Sequence, residues 1–503
     1  MNPEQIGNNL LAASPEAVAK FKSRIEAESI DRRAITSPIN GQQGGRPHLR
    51  PELVTENFLK ERVTEAGKMT LRRDRGTWYE WWGGYWRDRT SEDVRAAVLK
   101  YLQKTGIGEY SRLSKYTVDN VLEHLIGFCY LDSLLCRMPC FLPRGESAVG
   151  WMPMKNCVLD VERAAVALER GEPIPREAMR PTSPELFTTY GLDYDFDPAA
   201  RCPKFLKYLS ENQPSKENRE SLQMLAGLAL VPDCRYNVAF FLYGEAGTGK
   251  SVFAAVLKHL VGVKNCCCVP MANLADRFGK APLTEKLLNV VEDMSVIQEG
   301  GGVAGVEGYF KQITAGEEIP VERKGVDAYK APVTARMVFA TNTLPYIGDR
   351  SKAMWDRSRI IPFNQRIRGT ARQNPNLPDE IVAEELPGVL NWALVGLAKL
   401  RKLTQFPECP EGLALKEAHR MDCDHEREFL TEHVEAAPGC WVSSDQLFKK
   451  YQAWMLENNY RPTGAANFKK AVKRVFPRSL VDRSREGIRR VTIYRNIRTI
   501  SEL

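Results

Sequence analysis

One octapeptide restricts the fold of this chain more than any other feature. Gly244, Glu245, Ala246, Gly247, Thr248, Gly249, Lys250 and Ser251 have the Gly-x-x-x-x-Gly-Lys-Ser spacing of a phosphate-binding loop. The apolar, aromatic run at 236–243 predicts an interior strand before it, and 252–257 predicts the continuation of a helix after it. A triphosphate needs several backbone N–H donors converging on it, and Gly244, Gly247 and Gly249 let the chain turn tightly enough to supply them. Lys250 is then expected on the β- and γ-phosphates and the Ser251 hydroxyl on Mg²⁺, with the positive end of the helix dipole adding to both. The alternative, a chance glycine-rich turn, has to explain the strand, the Lys-Ser pair and the helix all falling in register.

Hydrolysis of a nucleotide needs more: an acidic pair, a polar sensor and an arginine supplied from elsewhere. Residues 286–291 read as a buried strand ending in Glu292-Asp293. One carboxylate would organise Mg²⁺, with Ser251 and Glu292 as metal contacts, and the other would orient the attacking water; a helix start is the alternative for the pair. Residues 336–341 read as another apolar strand closed by Asn342, whose amide can bond a γ-phosphate or the lytic water. Within 355–363, Arg357 first and Arg359 second are candidates for an arginine acting on a neighbouring subunit's nucleotide, with a surface ion pair as the alternative for each. Residues 316–325 read as strand, turn and cationic tip, so Arg323, Lys324 and Lys330 are expected phosphate contacts of a loop projecting into a pore.

The chain of 503 residues is long enough for three or four domains. No apolar stretch approaches the about 18 residues needed to span a bilayer, and the start lacks the basic and apolar regions of a secretory signal. A soluble, cytoplasmic protein without a membrane partner is therefore expected. The 12 cysteines, three of them consecutive at 266–268, follow neither a disulfide framework nor a Cys-x-x-Cys pattern and read as reduced core residues. His419, Cys423, His425, His433 and Cys440 form a loose group without zinc spacing.

The net charge of +8 is unevenly placed. Residues 441–503 hold 14 Lys or Arg against 5 Asp or Glu, whereas the remainder holds 57 against 58. This tail reads as helix 444–457, helix 465–476 and two strands around Glu486-Gly487, the order of a winged helix. Lys469, Lys470, Lys473 and Arg474 share a helix face, and Arg485, Arg489 and Arg490 flank the turn, so a DNA-binding attachment is expected, with a solvated charged face as the alternative. Near the other end, 78–86 reads as an aromatic hairpin turning at Gly83-Gly84, followed by helices at 91–104 and 116–129. Its aromatics, beside Arg72, Arg73, Arg87 and Arg89, are expected to pack, with stacking on nucleic-acid bases as the rival. Asp193, Asp195 and Asp197 read as a strand running into a turn in preference to a metal site.

The combined string resembles the superfamily 3 helicases of the AAA+ class, closest to the phage, plasmid and poxvirus primase-helicase branch. Besides the phosphate loop, the likeness rests on 340–345, 355–363, 316–324, Lys155-Asn156 with Val158-Leu159-Asp160, and 388–393. It implies an α/β fold: an AAA+ P-loop NTPase core at 221–375, an α-rich helicase-associated domain at 53–220 after a mobile arm at 1–52, a helical connector at 376–425 and a basic winged-helix domain at 426–503. It further implies a ring, usually a hexamer, that hydrolyses ATP with Mg²⁺ and moves 3′ to 5′ on single-stranded and forked DNA. Lys250 and Ser251 would be its nucleotide and metal contacts, Asn342 its sensor, Arg357 its finger and Lys324 its pore-loop cation. The Glu-Asp order of the acidic pair departs from the family's usual Asp-Glu or Asp-Asp, which leaves the water-activating carboxylate open. The arm is too short for the primase module many relatives carry, so a separate primase or polymerase is the expected partner. The reading is a replicative helicase of a mobile element or virus. Its rivals are an ATP-switched DNA-binding initiator and a packaging motor that moves on duplex DNA.

Overall fold

A computed structural model describes residues 36–37, 48–105, 114–294, 303–323, 326–348, 352–458, 460–486 and 489–500. The expected arm at 1–52 falls mostly outside the described residues; within it, Thr36–Ser37 pairs antiparallel with His48–Leu49. The chain forms two compact units, Met1–Pro198 and Ala199–Leu503.

In the first unit, helices Pro51–Lys60, Ser91–Lys104 and Lys115–Cys129 close on Val54, Phe58, Val98, Leu102, Val121 and Leu125. Thr90 and Asp93 form a capping box that starts the second of these helices. The helices expected of an α-rich domain are present, but three three-stranded antiparallel sheets accompany them, which the sequence reading anticipates only in part. The difference arises because aromatic and β-branched residues between closely spaced glycines and prolines make strands of two to five residues, too short for a periodic signal. Thr77–Trp81 pairs with Trp86–Arg89 as the expected hairpin, and the Trp82 N–H bonds the Tyr85 carbonyl at 2.9 Å around Gly83-Gly84. Asp193, Asp195 and Asp197 lie in irregular chain, not in the expected strand.

In the second unit five strands form one parallel sheet: β1 (Ala239–Tyr243), β2 (Cys266–Cys267), β3 (Leu288–Val291), β4 (Arg336–Thr341) and β5 (Ser358–Pro362). Their spatial order is β2-β3-β4-β1-β5. β3 and β4 are buried along their whole length, as strands covered on both faces must be. Because β1 lies between β4 and β5, the turn that follows it opens at the carboxyl edge of the sheet, where open α/β sheets bind ligands. The residues after β3 and β4 reach that same edge. The expected boundary at 220–221 falls inside the Lys216–Leu228 helix, which packs on Leu386–Leu403 in this unit. The Gly388 of the 388–393 segment is a packing residue: a Cβ there would lie 2.2 Å from the Arg201 carbonyl carbon.

The last elements of this unit are helices His425–His433, Ser444–Glu457 and Ala465–Val475 and an antiparallel sheet of Val434–Ser443, Arg489–Thr499 and Leu480–Glu486 in that order. The two helices and the strand pair follow the sequence reading. The strand Val434–Ser443 was not anticipated, since Pro438-Gly439 reads as a break; the sheet absorbs it as a register shift between Ala436 and Trp441. Phe429, Leu430, Tyr451, Phe468, Val472 and Tyr494 form the core beneath.

All 12 cysteines are free, and burial pushes the Cys129 and Cys140 thiols up to about 12, which keeps them protonated and unreactive. Among the described residues no helix alone is long and apolar enough to cross a membrane.

Candidate nucleotide and nucleic-acid sites

The phosphate loop leaves β1 and enters the helix Lys250–Val261, whose first turn it caps with Gly249 at φ 90°. Gly247 has φ 84°, and a Cβ there would lie 2.5 Å from the Arg368 Cβ, so both positions exclude other residues. The N–H groups of Gly247 through Ser251 donate to no backbone carbonyl among the described residues. Unpaired donors at a helix N-terminus are the chemical counterpart of phosphate oxygens. The Gly247 carbonyl is held from behind by the N–H groups of Ile367 and Arg368 at 2.9 and 3.1 Å.

Lys250 is 7% exposed and its ammonium donates to the carbonyls of Gly244 and Glu245 and, at 3.1 Å, to Asn342 Oδ1. Burial lowers its pKa, an effect that a nearby anion would oppose. Asn342 follows β4, and the Gly244 N–H donates to the Thr341 carbonyl at 3.2 Å, so the pairing of β1 with β4 is what sets the loop and Asn342 side by side. Glu292 and Asp293 follow β3 directly, not as a helix start, and both are exposed. Glu292 forms an ion pair with Lys258, two turns into the loop's own helix, while Asp293 has no ion-pair partner among the described residues.

Loop, acidic pair and Asn342 line one cavity of about 450 Å³, within the usual range for small-molecule sites. The exposed Ser251 and the two carboxylates suit Mg²⁺, which binds through one or two protein oxygens plus substrate phosphates. The residues therefore fit a nucleoside triphosphate with its metal. Sequence reasoning missed Tyr208, whose hydroxyl donates to the Gly249 carbonyl at 2.8 Å, and Arg368 and Arg372, which line the same cavity. They come from about 40 residues before the loop and over a hundred after it, with no spacing to link them.

Arg357 ends the helix Lys352–Arg357 and donates to the Ala353 carbonyl at 2.8 Å; it does not line its own protomer's cavity and has no carboxylate partner among the described residues. Arg359 is different: Glu408 takes its guanidinium at 2.8 Å, so this second candidate follows the ion-pair alternative. The strands Glu318–Arg323 and Val326–Pro332 make the expected hairpin, with Lys330 exposed and Glu322 tied to Arg277 at 2.6 Å. Lys324 lies outside the described residues, as do the side chains of Arg323, Arg485, Arg489 and Arg490.

On the Ala465–Val475 helix, Lys469, Lys470 and Lys473 are exposed opposite buried Phe468, Ala471 and Val472. Arg474 differs from the lysines: its Nη2 meets both carboxylate oxygens of Asp424 at 2.7 Å, an ion pair that would compete with a phosphate for this guanidinium. Replacing Lys469, Lys470 and Lys473 together by Ala is expected to reduce the slope of log K against log salt for duplex DNA by about 1 per lysine that meets a phosphate. A salt titration of filter binding measures it, and an unchanged slope would remove this helix from the interface. Truncation before Trp441 is a poorer test, because it cuts the strand Val434–Ser443 and opens the core. The His419 group holds no metal cluster among the described residues. His419 instead bonds the Pro345 carbonyl at 2.9 Å, with its pKa lowered by burial, and His425 stacks on Tyr460 at 3.7 Å.

Three families match parts of the chain. Residues 56–214 match the family described as D5 N terminal like, residues 242–359 a family of unknown function (DUF5906), and residues 424–497 the RFX DNA-binding domain. A protein of Invertebrate iridescent virus 3 named "Putative helicase 121R" is 26% identical over 139 residues, which cover 26% of this chain and 15% of that relative. Among solved structures, an apo structure of the NrS-1 C terminal region has a TM-score of 0.50 at 12% identity, covering 88% of this chain and 98% of that one. Another apo form of the same region gives 0.48 at 12% identity over 89% and 100%. The likeness to the first is one of fold.

Proposed function

We propose that this chain is a replicative DNA helicase of the superfamily 3, AAA+ type, which hydrolyses ATP between subunits of a ring and draws single-stranded DNA through it. The observation that carries the reading is the convergence of Lys250, Asn342 and the Glu292-Asp293 pair on one cavity at the carboxyl edge of a parallel sheet. The viral relative named a helicase and the match to a DNA-binding domain at 424–497 support it.

In this reading the N–H groups of Gly247 through Ser251 hold the phosphates, and Lys250 exchanges its carbonyl partners for β- and γ-oxygens. Asn342, already 3.1 Å from Lys250, positions the lytic water at the γ-phosphate. Asp293, which unlike Glu292 is not tied to Lys258, is the carboxylate that would orient that water. Mg²⁺, held by Ser251 and Glu292, would neutralise the charge developing on the phosphate oxygens. Arg357 would complete the site of the adjacent subunit, and the 318–332 hairpin would carry its tip cations along the strand.

Strand displacement on a forked duplex tests the whole: ATP and Mg²⁺ are expected to release the displaced strand. The second reading, an ATP-switched initiator without strong unwinding, draws on the match of residues 424–497 to a DNA-binding domain. ATP-dependent binding to forked or duplex DNA with no released strand would replace the first reading by the second.

A further inference from the structure

The hairpin of the first unit turns its aromatics in two directions. Trp78, Tyr79, Tyr85 and Trp86 are buried, as the packing expectation requires. Trp82 is not: it is 57% exposed at the tip, where the Trp82–Tyr85 backbone bond fixes its position. The Arg87 guanidinium lies 4.6 Å from the centroid of the Trp82 ring. Arg87 also donates to the Tyr85 hydroxyl, and that hydroxyl bonds Asp193 Oδ1 at 3.4 Å. The carboxylate row that suggested a metal site thus contributes an anchor for an arginine held against an exposed indole.

Exposure alone does not single Trp82 out, since Tyr116 and Leu134 are more open still; what does is the guanidinium against one face of its ring, which leaves the other face for a flat ligand. Of the cations near the hairpin, Lys68 pairs with Glu185, Arg89 pairs with Glu80 and the Arg72 guanidinium is desolvated by burial, whereas the exposed Arg87 beside the ring has no carboxylate partner among the described residues, which favours an anionic partner over an apolar protein surface. A ligand with flat, π-rich units on a phosphate backbone matches both features. We propose that Trp82 and Arg87 form a base-stacking platform for single-stranded nucleic acid, with the indole receiving an unpaired base and Arg87 a flanking phosphate. The platform rests on the nucleic-acid part of the proposed function and adds to it a contact outside the ATP-binding unit.

Stacking and charge separate cleanly in a salt titration. Full-length protein is titrated against fluorescein-labelled oligothymidylate and against an abasic oligomer of equal charge. Trp82→Ala is expected to weaken oligothymidylate binding about tenfold at every salt concentration with the slope unchanged. Trp82→Phe should recover part of the loss, and on the abasic oligomer wild type and Trp82→Ala should coincide. Arg87→Ala should weaken binding and lower the slope by about 0.7, the value for one phosphate on a single strand. Equal binding of oligothymidylate by wild type and Trp82→Ala would overturn the platform and leave the indole for a protein partner, without touching the helicase reading. Wild-type protein that bound no oligothymidylate would overturn both.

Discussion

Lys250→Ala is expected to reduce ATP turnover by about 10²–10³ at saturating ATP and single-stranded DNA, since one preorganised donor on developing charge accounts for that order. The side chain is nearly fully buried, and its ammonium sits between the loop carbonyls and Asn342. Arg368 and Arg372 also line the cavity but are exposed, and neither is held against the loop carbonyls as Lys250 is. Arginine should not substitute: its planar fork cannot enter a pocket that fits a compact ammonium. Phosphate release measures the loss, and the same variant should be inert in strand displacement while still binding DNA through Lys469, Lys470 and Lys473. Turnover within tenfold of wild type would mean the loop does not hold a hydrolysable phosphate.

Arg357→Ala is expected to lower turnover by about 10³, the lower end for an arginine supplied to a transferring phosphoryl group. Its place at the end of a short helix, outside its own cavity and without a carboxylate partner among the described residues, is what a group acting on a neighbour requires. Mixing tests the direction of action. Subunits carrying Arg357→Ala have an intact loop, and subunits carrying Lys250→Ala have an intact arginine, so mixed assemblies should regain turnover that neither variant shows alone. A mixture as inactive as its components would exclude action across an interface. Arg359→Ala supplies the contrast: its largely buried Glu408 pair, which Lys416 would still partly satisfy, predicts a stability loss of about 1–3 kcal/mol with near-normal turnover.

The legible parts of the sequence were those where adjacent residues share one task. The loop, the strand-end carboxylates, Asn342, the hairpin at 318–332 and the two helices of the C-terminal module are short contiguous patterns, and each occupies the element expected of it. Arg474 shows the limit. Its helical spacing from Lys470 is the same as that of a contact face, yet Asp424, 50 residues away, claims it. Glu292 and Lys258 make the same point from 34 residues, and Arg359 with Glu408 from 49. Aromatic residues at 78–86 were correctly given to packing in bulk, but which one the turn would leave in solvent depended on the register of Trp81 against Trp86.

By itself the sequence determined the chemistry available: a phosphate loop whose glycines permit positive φ, apolar runs able to become buried strands, and a tail with nine excess positive charges. These are properties of neighbouring residues and survive without knowledge of the rest of the chain. Only the tertiary structure decided which groups meet. Strand order brought Asn342 to Lys250, the chain after β5 walled the cavity, Asp424 paired with Arg474, and Asp193 steadied Arg87 through Tyr85. Such partners are chosen by packing of distant segments, and no local periodicity encodes a pairing between residues a hundred positions apart.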